Sequence, residues 1–262
     1  MNRMDRVFEQ LRQLDRKILT LYFPIGDPIL KDDCAWAERY FENGCTVLEI
    51  GLPNDDPVLD GKTVADSMAR ALANTGLEEV FRRIKRIRAR CPDQVLQIMV
   101  YAHVIENMGL EAFAAACHEC DVDGVLSPNI PPDRVAAVDA ALEQYNIYNL
   151  RFSPYYVTYS ALQDLKANAR GYIFQQAVDG ATGPQSTVSP QIGKNVRLLK
   201  ESGIKTPVLA GFGISNASQV KQALSMGADG VIVGSATISH IIQGDGEAFI
   251  RSLYEATAGG QP

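Results

Sequence analysis

Residues 206–236 read TPVLAGFGISNASQVKQALSMGADGVIVGSA, two short apolar runs of strand character separated by one helical stretch, with each run closed by a glycine turn. Residues 206–213 (TPVLAGFG) and 228–236 (ADGVIVGSA) read as strands. Residues 216–227, NASQVKQALSMG, read as helical and stop at Gly227, a residue suited to a left-handed C-cap. The unit is therefore strand, Gly turn, helix, strand, Gly turn. Working back along the sequence, the same alternation recurs at residues 17–26 (KILTLYFPIG), 46–53 (TVLEIGLP), 94–101 (QVLQIMVY), 123–129 (DGVLSPN), 147–154 (IYNLRFSP) and 170–177 (RGYIFQQA). Eight β-then-α units, with no Pro/Ser-rich linker or composition break between them, predict an α/β protein folded over residues 1–262 as a single (β/α)8 TIM barrel. An open doubly wound sheet is the competing topology, but it usually carries its glycine fingerprint in the first βα turn, and here the telling glycines come last. Residues 1–15 add an N-terminal helix with Met4, Val7, Phe8 and Leu11 on one face, and residues 64–90 read as helical throughout.

A length of 262 residues, with 46% hydrophobic and 21% charged residues, allows a large buried core, which excludes disordered, fibrous and coiled-coil classes. The net charge of −6 argues against nucleic acid or an anionic membrane as partner. No apolar run reaches the 18 or so residues of a bilayer span, and the mixed-charge start lacks the apolar region of a secretory signal, so a cytoplasmic protein is expected. Five cysteines, an odd number in a protein of this size, fit free thiols. Cys117 and Cys120 form a lone C-x-x-C in an alanine-rich helical setting, expected to be two packed helix-face cysteines around an exposed His118.

In a (β/α)8 barrel the chemistry sits at the C-terminal ends of the strands, and phosphate is often held after strands seven and eight. Gly213 after strand seven, and Gly234 and Ser235 after strand eight at the start of a helix, are accordingly candidate phosphate ligands through free backbone N–H groups. The glycine turn at 179–183, with Thr182 and Gly183, follows strand six and can close the same pocket. In strand two, Val47, Glu49 and Gly51 share the inward face. A carboxylate there is either a salt-bridged structural group or a proton-transfer group whose pKa burial raises. Asp60 lies eleven residues on, in a loop rich in Asp and Pro, either solvated or brought over the pocket as a second carboxylate in a wetter setting.

Residues 47–61, VLEIGLPNDDPVLDG, resemble the second-strand signature of tryptophan synthase α subunits, and FPIGDP, DVDGVLSPNIPP, GATG, PVLAGFGIS and ADGVIVGSA resemble further motifs of that family in the same order, from about Arg16 to Tyr254. The resemblance implies retro-aldol cleavage of indole-3-glycerol phosphate to indole and glyceraldehyde 3-phosphate, with no metal or organic cofactor. It assigns Glu49 as general acid/base and Asp60 as the carboxylate on the indole N–H. Thr182 would meet Asp60 on loop closure, Gly183, Gly213, Gly234 and Ser235 would bind phosphate, and Tyr22, Phe212 and Ile232 would form apolar walls around the ring. A tryptophan synthase β subunit is the implied partner, and a stand-alone indole-3-glycerol-phosphate lyase is the other form that the resemblance admits.

The sequence departs from the family pattern at Asn54-Asp55, at His103 after strand three, at Asn129 after strand four, in SPYYVTY after strand five, and at Phe174, where a tyrosine is usual. These changes keep open a retro-aldolase or isomerase for a different phosphorylated polyol, with His103 as an added titratable group, and a non-catalytic α-like partner protein. His240 is expected to be structural.

Overall fold

The computed structural model describes residues 1–177 and 188–258. Eight parallel strands close on themselves in sequence order: β1 (Ile18–Phe23), β2 (Val47–Gly51), β3 (Val95–Met99), β4 (Gly124–Leu126), β5 (Tyr148–Ser153), β6 (Ile173–Gln176), β7 (Val208–Gly211) and β8 (Gly230–Val233), with β8 pairing back onto β1. The strand expected over 147–154 ends at Ser153, before Pro154.

Alternation along the strands separates two apolar sets. Leu19, Leu21, Leu48, Ile50, Leu96 and Ile98 face outward into the main core beneath the surrounding helices. Ile18, Val47, Val95, Leu150, Leu209 and Ile232 face inward and fill the barrel, so its centre is packed.

The lower end of that interior is closed by α1 (Arg3–Gln13), shorter than the 1–15 expected and capped by Asn2, whose side chain accepts from the Met4 N–H. Met4 is fully buried, and Val7, Phe8 and Leu11 pack with it against the inward-facing residues. Burying a methionine in this way contributes roughly 1.5–3 kcal/mol. Asp123 pins this end by accepting from the Leu96 N–H and from Arg88, both at 2.9 Å, and by pairing with Arg3.

The helical material expected over residues 64–90 is there, as two helices. These are α2 (Lys62–Leu72) and α3 (Leu77–Arg90), separated where Asn74 turns its side chain onto the Arg70 carbonyl and Gly76 adopts an extended conformation before the next helix. The helix expected over 216–227 runs Ala217–Ser225, capped by Asn216 and followed by Gly227 at φ 96°. After β8 a helix starts at Ser235 (Ser235–Gln243) without any side-chain cap. Cys117 and Cys120 are both buried, while His118 is exposed and stacks on Tyr145. Among the described residues, no helix is long and apolar enough to cross a membrane.

Candidate active site

A cavity opens at the C-terminal end of the barrel, where small-molecule sites of this fold lie. Its floor is one layer of the strand register: Tyr22 pairs with Glu49 across β1 and β2, and Glu49 pairs with Gln97 across β2 and β3. Each of the three side chains points inward because it occupies the same phase of the two-residue strand repeat.

Glu49 is 4% exposed. Burial pushes its pKa up to about 8 against the opposing hydrogen bond from Gln97, and the charge of Asp60 pushes it further in the same direction. Gln97 Nε2 donates to Glu49 Oε1 at 2.9 Å, and the Tyr172 hydroxyl donates in turn to Gln97 Oε1. The neutral acid is thus the resting form of Glu49 near pH 7.

Asp60 reaches the same cavity from the loop after β2. It is half-buried, and the Tyr101 hydroxyl donates to its Oδ2 at 2.8 Å while accepting the Leu59 N–H at 3.1 Å. The structure therefore brings together two carboxylates of different exposure on one cavity.

The opposite wall is aromatic. Phe174 packs against both Phe152 and Phe212, with ring centroids 5.2 and 5.1 Å away, and Ile232, Leu126 and Met99 extend the apolar lining. Two glycines make room for the rings. A Cβ on Gly51 would overlap the Tyr22 phenol oxygen, and one on Gly211 would overlap the Phe174 ring. The ring at position 174 and the Tyr22 ring each lie across the last glycine of the next strand.

At the far side, the turns after β7 and β8 contribute Gly213 and Ser215, and Gly234, Ser235 and Ala236. Phe212 and Gly213 have φ of 72° and 79°, consecutive left-handed residues that turn the backbone sharply at the cavity edge. The uncapped N-terminus of the helix starting at Ser235 faces the same space, and none of the described lining residues is Lys or Arg. An anion there would be met by backbone N–H groups and a helix dipole.

Of the residues singled out in the sequence, Glu49, Asp60, Tyr22, Phe212, Ile232, Gly213, Gly234 and Ser235 line this one cavity. Thr182 and Gly183 lie outside the described residues. Among the departures only Phe174 lines the cavity. Asn54 is buried and spends its side chain on the Asp56 N–H and on Met68, and Asn129 accepts the Ala102 N–H at 2.8 Å. His103 stacks beside Tyr101, with Nε2 3.9 Å from the Asp55 carboxylate, outside the cavity. His240 stacks on Phe249 and contacts Asp245 at 2.9 Å.

Gln97, Tyr101, Phe152 and Tyr172 are functional-site residues that sequence reasoning misses. Gln97 carries the same signal as Glu49, a polar side chain on the inward phase of an apolar strand. Tyr101 has only its place at a strand's C-terminal end.

A buried acid and a second carboxylate on an apolar cavity at the C-terminal face of a parallel eight-stranded barrel define a (β/α)8 enzyme whose candidate site can exchange a proton. The family model described as tryptophan synthase alpha chain matches residues 8–257, and the chain belongs to that family of lyases. It is 34% identical to a tryptophan synthase alpha chain of Geobacter sulfurreducens, over 91% of this chain and 89% of the relative. A tryptophan synthase alpha chain of Pelobacter propionicus is 32% identical, over 99% of each. The fold superposes on a solved structure of Mycobacterium tuberculosis tryptophan synthase with a TM-score of 0.89 and 26% identity, over 99% of both chains.

Proposed function

We propose that this protein cleaves indole-3-glycerol phosphate into indole and glyceraldehyde 3-phosphate, as the α subunit of a tryptophan synthase. The observation that carries the reading is the protonated, buried Glu49 set beside the wetter Asp60 in an apolar cavity that ends in glycine turns. In this reading neutral Glu49 protonates C3 of the indole, and Asp60 balances the positive charge that appears on the ring nitrogen. The resulting Glu49 carboxylate then takes the proton of the hydroxyl on the carbon attached to the ring. As that oxygen forms the aldehyde C=O, the bond between the ring and that carbon breaks and its electron pair returns to the ring, restoring indole and the neutral acid. Gly213, Gly234 and Ser235 hold the phosphate, with Gly183 as a further phosphate ligand and Thr182 as the partner of Asp60. Phe212, Ile232 and Tyr22 wall the indole.

A β subunit is proposed as partner because the fold resembles solved tryptophan synthase over nearly its full length. A single domain over 1–262 fits the extent of the family match, and a reducing compartment such as the cytoplasm fits the five free thiols. The phosphorylated-polyol alternative loses support from Asn54, His103 and Asn129, which do not line the cavity.

The test is to incubate the protein with indole-3-glycerol phosphate, alone and with a tryptophan synthase β subunit, and to follow both products. Cleavage that is lost in Glu49→Gln and accelerated by the β subunit is expected. No cleavage under either condition, with a folded protein, would overturn the assignment.

A further inference from the structure

Four tyrosines are buried among the described residues, and three of them have committed their hydroxyls. Tyr40 donates to the Tyr22 carbonyl, Tyr101 to Asp60 and Tyr172 to Gln97. The Tyr22 hydroxyl alone has no hydrogen-bond partner among the described residues, although the residue is only 3% exposed and lines the cavity. A buried phenol O–H left unpaired forfeits its hydration with nothing in return, so a group in that state needs a reason.

The geometry supplies one. Tyr22 stands in the same strand layer as Glu49, and its ring leans over Gly51, two residues further along β2, where any side chain would collide with the phenol oxygen. The hydroxyl is therefore held one step nearer the cavity mouth than the Glu49 carboxyl. Burial, and after it the charge of Asp60, keeps the phenol protonated. It is a fixed donor beside both carboxylates that bonds to neither.

We propose that the Tyr22 hydroxyl donates a hydrogen bond to the substrate oxygen on the carbon attached to the indole ring, the oxygen that becomes the aldehyde. This inference rests on the functional reading above, in which Glu49 removes the proton from that same hydroxyl. Tyr22 keeps its own proton throughout. Its bond strengthens as negative charge gathers on the oxygen between loss of the proton and formation of the C=O, so its contribution is to the transition state more than to binding. Tyr22 is then a polar member of the site as well as an aromatic wall.

The test is Tyr22→Phe, which keeps the ring over Gly51 and removes only the oxygen. Turnover is measured with indole-3-glycerol phosphate, and affinity with 3-(indol-3-yl)propyl phosphate, the same molecule without the two side-arm hydroxyls. A kcat reduced on the order of 100-fold, with the affinity of the deoxy analogue unchanged, is expected. Unchanged kcat in Tyr22→Phe, while wild type cleaves and Glu49→Gln does not, overturns the inference and leaves the functional reading intact. A parallel loss of turnover and analogue affinity also overturns it, by assigning Tyr22 a packing role alone. Wild type that neither cleaves the substrate nor binds the analogue overturns the functional reading, and the inference falls with it.

Discussion

Gln97 and Glu49 are register partners on adjacent strands, and the Gln97 amide donates to the Glu49 carboxyl at 2.9 Å while its carbonyl accepts from Tyr172. The amide thus reports on two buried groups at once. It lowers the pKa of Glu49 against a larger rise from burial. Gln97→Leu should remove that restraint and move the alkaline limb of the pH–rate profile upward, by on the order of one unit. It should also cost about 1–3 kcal/mol, because the Tyr172 hydroxyl is left unpaired. An alkaline limb that stays in place would show that Gln97 has no hold on Glu49.

The same elevated pKa fixes how stability depends on pH. Glu49 titrates near 8 in the folded protein and near its ordinary 4.5 when exposed, so between those values the native state binds the extra proton. Stability from this group is then highest below pH 4.5 and is lost as pH rises toward 8. Glu49→Gln cannot titrate and keeps an acceptor for Gln97. Its stability relative to wild type should grow from pH 4.5 to 8, reaching on the order of 3–5 kcal/mol. Urea unfolding of both proteins across that range checks this, and a constant difference would exclude a strongly raised native pKa.

Activity should follow the same group. If neutral Glu49 is the form that protonates the ring, kcat/KM falls as pH rises through about 8. A profile still rising above pH 9 would require a different acid.

Tyr101 ties the loop after β2 to the barrel by donating to Asp60 and accepting from the Leu59 N–H. Tyr101→Phe cuts both bonds while keeping the ring. The expected result is a fall in kcat/KM of roughly 10- to 100-fold, because misplacing a group at the reacting centre can cost up to about 100-fold. Global stability should change by no more than about 1 kcal/mol, since the two partners left behind, Leu59 and Asp60, are half-exposed and can turn to water. Equal kinetics would mean that Asp60 is positioned by other contacts.

The barrel is legible in the sequence because its signal is repeated. Eight apolar runs in a fixed alternation leave few topologies, and the late glycines at Gly213 and Gly234 point to a closed barrel over an open sheet. Glu49 is legible for a reason that applies equally to Gln97: each breaks an apolar strand on its inward phase. Tyr101 is hidden because its hydroxyl acts across a loop, 41 positions from Asp60, and no local pattern encodes that reach. The rim departures mislead in the opposite direction. Asn54 and Asn129 look like pocket changes in the sequence, yet both side chains are used to cap nearby backbone.

The last prediction concerns the turn after β7. Gly213 follows Phe212 in a second left-handed residue, φ 79° after 72°, at the edge where the phosphate is proposed to sit. An alanine there must either hold a strained conformation, at about 1 kcal/mol, or rotate the N–H groups of the turn away from the anion. Because phosphate is bound alike in the ground and transition states, Gly213→Ala should raise KM for indole-3-glycerol phosphate, with kcat nearly unchanged. It should weaken inhibition by inorganic phosphate to a similar extent. Gly203→Ala is the matching control: its φ is 92°, a side chain there meets nothing within 4 Å, and it lies just after Gln191–Glu201, away from the cavity. That variant carries comparable backbone strain but should leave KM and phosphate inhibition unaltered. Equal kinetic effects from both variants would trace the loss to strain in the barrel and remove the turn after β7 from the proposed phosphate site.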